Sequence, residues 1–414
     1  MKKLITISSF TGFCSRGSEA LLLTRIRSIR KLFPSVNFCV LTVYTENKKR
    51  IKGVEYINTF GGRREKFYSP IYLIDSLIKA FWWTFNIFLF HFFSFCWEKN
   101  IKKMARSDLF ISSDGDVLGE SYGFLPFLWR SYFLSFGFFL KKPVIIYAEG
   151  VGPFKSLFGR VLAKLIFKKC CYISVRDKIS LENLVELGFD REKIDVVADS
   201  AFLLEPSSKN LNFRKKGRRV IGISVSRLVS SYGFREKKGI ASYTLFINFF
   251  SQLIDWLIED KNAYIVMVPH AIQPKRDDYQ TSLEIFSKIK NKKMVKILNK
   301  RYRADEFKKV ISYCDLLIAA RLHAAIAGLS TGVPVIGIAY SHKMNGVFGQ
   351  LGMEDFVVDI RNLNWDIKKK IDYVLKNQRF IKLRLNKKIK EIKKLAMKPA
   401  YKVAVFLRKK DEIE

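Results

Sequence analysis

Acid is scarce in this chain: 38 Asp and Glu stand against 74 Lys and Arg, a formal net charge of +36. The imbalance points to an anionic partner, whether nucleic acid, an anionic membrane face or a small anionic substrate. No zinc-finger, RNP or KH signature is present, so no nucleic-acid partner is expected. Cysteine is sparse too. Cys14, Cys39, Cys96, Cys170, Cys171 and Cys314 form no C-x-x-C pair and no Cys/His spacing suited to zinc. They read as reduced core thiols of a cytosolic protein, and no metal is expected. The first apolar stretch, Leu4 to Ile7 behind Met1-Lys2-Lys3, is too short for the core of a signal peptide and reads as a strand. The expected location is therefore the cytoplasm.

What is present is ample apolar material, 49% of 414 residues, enough for two cores. Short β-rich runs alternate with amphipathic ones, the pattern of parallel α/β units. Strands are expected at Leu4–Ser8, Phe38–Thr42, Leu109–Ser112, Val144–Tyr147 and Ile173–Val175, with helices at Glu19–Lys31, Ser156–Lys168 and Ser180–Leu187. After a polar linker the pattern restarts: strands at Val220–Val225, Tyr264–Val268, Leu316–Ala319 and Val335–Ile338, helices at Tyr243–Ile258 and Glu306–Ser312. The reading is an α/β chain of two facing doubly wound, Rossmann-like domains. Residues 1–205 form the first domain, 206–219 a linker, 220–365 the second domain and 366–414 a basic helical tail.

Ligands of open α/β sheets bind beyond the carboxyl ends of the strands, where helix N-termini favour anions. Polar residues gather at those places: Asp114 and Asp116 after one strand, Glu149-Gly150-Val151-Gly152 after another, and Arg176-Asp177 after a third. In the second half His270 follows a strand, and Arg321-Leu322-His323 leaves another to open an apolar helix. Each has a plainer reading. A Gly-x-Gly is usually a tight turn, an Asp at a helix start an N-cap, Arg176-Asp177 a structural ion pair and His323 a half-buried helix residue. Their shared topological position is the informative fact. Arg321 offers a planar fork for carboxylate or phosphate, and His323, one of four His, offers a proton near neutral pH.

At these residues the chain resembles the polysaccharide pyruvyl transferases. Arg321/His323/Ile326, Gly332-Val333-Pro334 and Tyr340-Ser341-His342-Lys343 follow that family's R-x-H-x-x-I, G-V-P and Y-x-x-K segments. Gly150-Val151-Gly152-Pro153, Ser174-Val175-Arg176-Asp177 and Val196 to Phe202 match its G-x-G-P, S-x-R-D and V-x-x-D-x-A-F segments, and His270 lies in a V-P-H stretch with Asp277-Asp278 downstream. Two segments depart: Ser113-Asp114-Gly115-Asp116 stands where the family is often Gly-rich, and Ser15-Arg16-Gly17-Ser18-Glu19 where it tends to N-x-G-D-E. The resemblance implies a GT-B-like fold and transfer of pyruvate from phosphoenolpyruvate to a sugar as a cyclic ketal. It assigns Arg176 and Arg321 to the donor, His323 as general acid, and Asp114, with Asp116 second, as proton acceptor. His270 and Lys343 are expected to help bind phosphate or acceptor, and Leu322, Glu149, Gly150 and Gly152 to line the site. Phosphoenolpyruvate is then a donor substrate, and no cofactor is implied. A sugar-nucleotide glycosyltransferase on the same fold, with Glu149 or Asp114 as base, and a noncatalytic polyanion-binding protein are the two other readings.

From Ala80 to Trp97 the chain carries no Lys, Arg, Asp or Glu, and Phe and Trp dominate. That composition suits either a buried helix or a membrane interface. The second reading places the enzyme peripherally on an anionic inner leaflet, beside a lipid-linked acceptor.

Overall fold

The computed structural model describes residues 2–42, 51–60, 70–112, 115–211, 213–227, 240–273, 276–298 and 301–411. Two compact units emerge. The first comprises Met1–Phe13, Leu21–Ser200 and Leu395–Glu414; the second comprises Cys14–Ala20 and Ala201–Lys394.

The first unit is built on seven parallel strands: β1 (Leu4–Phe10), β2 (Asn37–Thr42), β3 (Val54–Asn58), β4 (Leu109–Ile111), β5 (Val144–Glu149), β6 (Tyr172–Val175) and β7 (Ile194–Val196). They lie in the order β3-β2-β1-β4-β5-β6-β7. The pleat sends successive side chains to opposite faces, so each inner strand supplies two cores. On β2, Phe38 and Val40 join Ile5, Ile7, Leu109 and Ile111 in one core, while Cys39 and Leu41 join Phe110, Val144 and Ile146 in the other. The helices of this unit are α1 (Arg16–Leu32) from Leu21 onward, α2 (Pro70–Phe93), α3 (Lys99–Ala105), α4 (Phe124–Phe139), α5 (Leu157–Phe167) and α6 (Lys178–Val185). Ala400, Val403 and Leu407, from the end of the chain, complete the core beside β1.

In the second unit six parallel strands take the order β12-β9-β8-β13-β14-β15. They are β8 (Arg219–Ser224), β9 (Ala263–Met267), β12 (Val295–Ile297), β13 (Leu316–Ala319), β14 (Val335–Ala339) and β15 (Val357–Asp359), with a two-residue hairpin, β10 (Ile272–Gln273) and β11 (Arg276–Asp277), after β9. The helices are α7 (Ile240–Lys261), α8 (Asp278–Lys288), α9 (Ala304–Ile311), α10 (Leu322–Leu329), α11 (His342–Leu351), α12 (Ile367–Lys376) and the long α13 (Gln378–Asp411). Both sheets are doubly wound, and each reverses its winding once, between β1 and β4 and between β8 and β13.

Nine strands lie where the sequence places them, within a residue or two. Besides the short hairpin β10–β11, the strands that it does not anticipate are β3, β7, β12 and β15, the edges of the two large sheets. Edge strands here are short and half-buried, so they lack the continuous apolar run that marks an inner strand. Helix α1 starts at Arg16 rather than Glu19, because the Glu19 N–H already bonds the Ser15 carbonyl at 3.0 Å.

Candidate active site

The second unit gathers its basic side chains where its sheet reverses. Strand β13 ends at Ala319, and Arg321 caps α10 in extended conformation. Its guanidinium grips Asp278 with two bonds, Nε to Oδ2 at 2.9 Å and Nη2 to Oδ1 at 2.7 Å. Asp278 is fully buried and also accepts the backbone N–H groups of His270 and Ala271. Burial pushes its carboxyl pKa up, and the Arg321 fork and the two amides pull against that shift. The result is an arginine held in one orientation, which is what recognition of a planar anion requires.

His270 follows β9 and is 6% exposed. Among the described residues neither ring nitrogen has a hydrogen-bond partner. Burial holds its pKa well below 6.5, and His323, Arg321 and Arg16 add to the effect. The imidazole is therefore neutral in surroundings that would welcome an anion. A buried polar ring with two unsatisfied nitrogens is costly unless a ligand completes it.

Arg16 and His323 close the group. Arg16 is buried, donates to Glu19 Oε2 at 3.1 Å through Nη1, and gives its backbone N–H to the His270 carbonyl at 3.0 Å. Glu19 in turn accepts the Ala304 N–H. The His323 ring lies so close to Gly17 that a Cβ there would stand 2.7 Å from its Cγ. Only glycine leaves room for the imidazole. Leu322 and His323 form the first turn of α10, both half-buried, and Lys343 is buried in the first turn of α11 after β14.

In the first unit the acidic residues dominate. Glu149, at the end of β5, is fully buried and bonds Arg25 Nη2 at 3.1 Å and the Ser112 hydroxyl at 3.3 Å. Burial raises its pKa, against the pull of Arg25 and Arg176. Arg176, beyond β6, donates to Asp199 at 3.0 Å and stands 3.7 Å from Asp177. Burial opposes its charge, yet Asp199, Asp116, Asp177 and Glu149 hold its pKa above the ordinary value. Asp177 also caps α6 by accepting the Ser180 N–H. Asp116 is half-buried and accepts the Tyr122 hydroxyl at 2.9 Å. Asp114 lies outside the described residues. Gly150 passes 3.0 Å (as a hypothetical Cβ) from Arg176 Nη2, and Gly152 has φ +80° against Asn183, so both are glycine for close approach or backbone freedom.

The fold thus brings His270, Arg321 and His323 together, and groups Asp116, Glu149, Gly150 and Arg176 separately in the first unit. Arg16, Gly17, Glu19 and Asp278, absent from the sequence-based site, complete the first group, and Arg25 and Asp199 the second. The only signal for Arg16 was its departure from a family pattern. Among the described residues no group of three or more His, Cys, Asp or Glu side chains is placed to hold a metal ion.

Comparison with known proteins follows the same lines. A family model for polysaccharide pyruvyl transferase matches residues 17–342. The amylovoran biosynthesis protein AmsJ of Erwinia amylovora is 26% identical over 288 residues, covering 66% of this chain and 67% of AmsJ. Solved structures with the same fold include HepE of Anabaena in complex with UDP (TM-score 0.58, 12% identity, 98% of this chain and 100% of that one). A glycosyltransferase of Rickettsia africae (TM-score 0.57, 13% identity, 98% and 99%) and the UDP-GlcNAc 2-epimerase of Neisseria meningitidis (TM-score 0.57, 12% identity, 98% and 100%) share it as well. The fold is GT-B-like.

Proposed function

Because the chain belongs to the polysaccharide pyruvyl transferase family, we propose that it moves pyruvate from phosphoenolpyruvate onto two hydroxyls of a sugar, as a cyclic ketal, in building a cell-surface polysaccharide or its lipid-linked precursor. One observation carries this reading. Arg16, Arg321, His270 and His323 converge in the second unit, and the buried His270 ring has no hydrogen-bond partner among the described residues. A small multiply charged anion supplies what that cluster is missing.

The chemistry follows from the donor. His323 gives its proton to the methylene carbon, which becomes a methyl group and leaves an oxocarbenium-like carbon beside the carboxylate. Arg321 holds the donor's anionic end, and Arg176 is the second arginine assigned to the donor. A sugar hydroxyl adds to the electron-poor carbon and loses its proton. The C–O bond to phosphate then breaks, phosphate departs, and a second hydroxyl closes the ketal. One hydroxyl proton restores His323 and the other leaves on phosphate, so the protons balance. Asp114 is the first proposed acceptor of those protons and Asp116 the second. His270 and Lys343 are assigned to phosphate or acceptor, and Glu149, Gly150, Gly152 and Leu322 to shaping the site.

The test supplies the full chain with phosphoenolpyruvate or with UDP-sugars, beside lipid-linked glycan extracts. Phosphate release with a pyruvylated glycan in the mass spectrum is the expected result. Release of a nucleotide diphosphate instead would make it a glycosyltransferase, and turnover of neither donor would leave a binding protein.

A further inference from the structure

Helix α2 is apolar on both faces. Its outward stripe, Ile74, Ile78, Phe81, Phe85, Phe88 and Phe92, advances in steps of four and three, so all six lie on one face, and all are exposed, Phe81 at 74%. The opposite face buries Trp83 and Ile87 in the unit's core, together with the polar Asn86. There Asn86 accepts the backbone N–H groups of Trp97 and Glu98, and Trp83 packs edge-on against Phe60. A soluble helix normally presents a polar outer face instead.

The patch is wider than one stripe. Phe85 stacks on Trp97, whose ring meets Phe95, and Lys102 stands 5.8 Å from the Phe95 ring. At the other end His91 bonds the Phe139 carbonyl, and Lys169 stands 6.0 Å from the rings of Phe138 and Phe139. Aromatic surface is thus bordered by one lysine beside Phe95 and another beside Phe138 and Phe139. Its acids are already engaged: Asp75 pairs with Lys79, and Glu98 accepts from the Trp82 indole. In the same unit α5 exposes Leu157, Phe158, Val161 and Leu165, interleaved with exposed Arg160 and Lys164.

We infer that this face of the first unit lies on an anionic lipid bilayer, with the Phe and Ile side chains in the acyl boundary and the lysines at the phosphates. Three features select that occupant. The apolar arc, with Trp82 and Trp97 at its margins, is broader than a helix–helix seam and matches an interfacial aromatic belt. The rim is cationic, complementary to anionic headgroups. Helix α2 is long and apolar enough to cross a membrane, yet its Trp83, Asn86 and Ile87 are buried against the unit's own core, so it lies along the surface. The inference is independent of the donor chemistry.

Vesicle flotation of the full chain tests it, with no substrate present. The chain should float with phosphatidylcholine–phosphatidylglycerol vesicles at low salt and remain with phosphatidylcholine alone at the bottom of the gradient. A Phe81→Ser/Phe88→Ser variant and, separately, a Lys102→Glu/Lys169→Glu variant should each lower the bound fraction roughly tenfold with an unchanged melting temperature. If the first variant fails to fold, the lysine variant decides. No flotation at low salt overturns the inference. So does binding that neither variant weakens, which places the lipid contact elsewhere, or a stable dimer that the Phe variant dissociates, which makes the face a subunit interface.

Discussion

Each unit sets two arginines among carboxylates, and the company they keep differs. In the first unit Arg25 and Arg176 face Glu149, Asp177, Asp199 and Asp116, a surplus of carboxylate. In the second, Arg16 and Arg321 are matched by Glu19 and Asp278, and two imidazoles, His270 and His323, are added. Buried charge must be compensated somewhere. The first cluster compensates its arginines from within the protein. The second balances its arginines as well, but it adds a buried imidazole whose ring nitrogens have no hydrogen-bond partner among the described residues, which a bound ligand would complete.

Three substitutions would break or sharpen that contrast. The largest effect is expected at His323. His323→Ala should lower turnover by roughly 10²–10⁴-fold, as loss of a general acid does, while calorimetric affinity for phosphoenolpyruvate stays nearly constant. Equal losses in affinity and stability would instead make the ring structural and remove the proton donor from the second cluster.

Next comes Arg176→Met in the first unit. It leaves Asp199 and its neighbours buried without their counter-charge, a destabilisation of about 3–5 kcal/mol by chemical denaturation. Unchanged stability with lost donor affinity would show that Arg176 serves the ligand more than the fold, and the two clusters would then be alike.

The smallest effect concerns pH. The folded His270 refuses its proton until well below 6.5, whereas the unfolded chain accepts one near that value. Below pH 6.5 the unfolded state therefore binds more protons, and stability falls with falling pH, by up to about 1.4 kcal/mol per unit. His270→Phe should flatten that limb of the melting-temperature profile, and phosphoenolpyruvate should flatten it in the wild type by favouring the imidazolium. A profile identical in the variant would mean that His270 titrates normally.

Much of this molecule can be read without coordinates. The nine inner strands, most of the long helices and the positions of Arg321, His323, His270 and Arg176 at strand ends follow from apolar runs and the residues that interrupt them. Those signals are local, and burial on both faces makes them strong. Edge strands escape because half-exposed positions carry no such run. Arg16 escapes for a different reason: nothing within its own segment tells that it meets His270 and Phe307, hundreds of positions away.

The amino-acid order by itself determined the fold class and the family, since periodicity and ordered motifs are properties of neighbouring residues. Only the tertiary structure decided which charges cancel. It gave Arg321 to Asp278, surrounded Arg176 with carboxylates, left the His270 ring without a hydrogen bond among the described residues and set Gly17 against His323. It also decided that the Ile and Phe stripe of α2 faces outward, although composition alone suits a core equally well. The physical reason is common to all of these: charge compensation and burial depend on distances between segments that the chain order leaves open, and a few ångströms separate an ion pair from a ligand site.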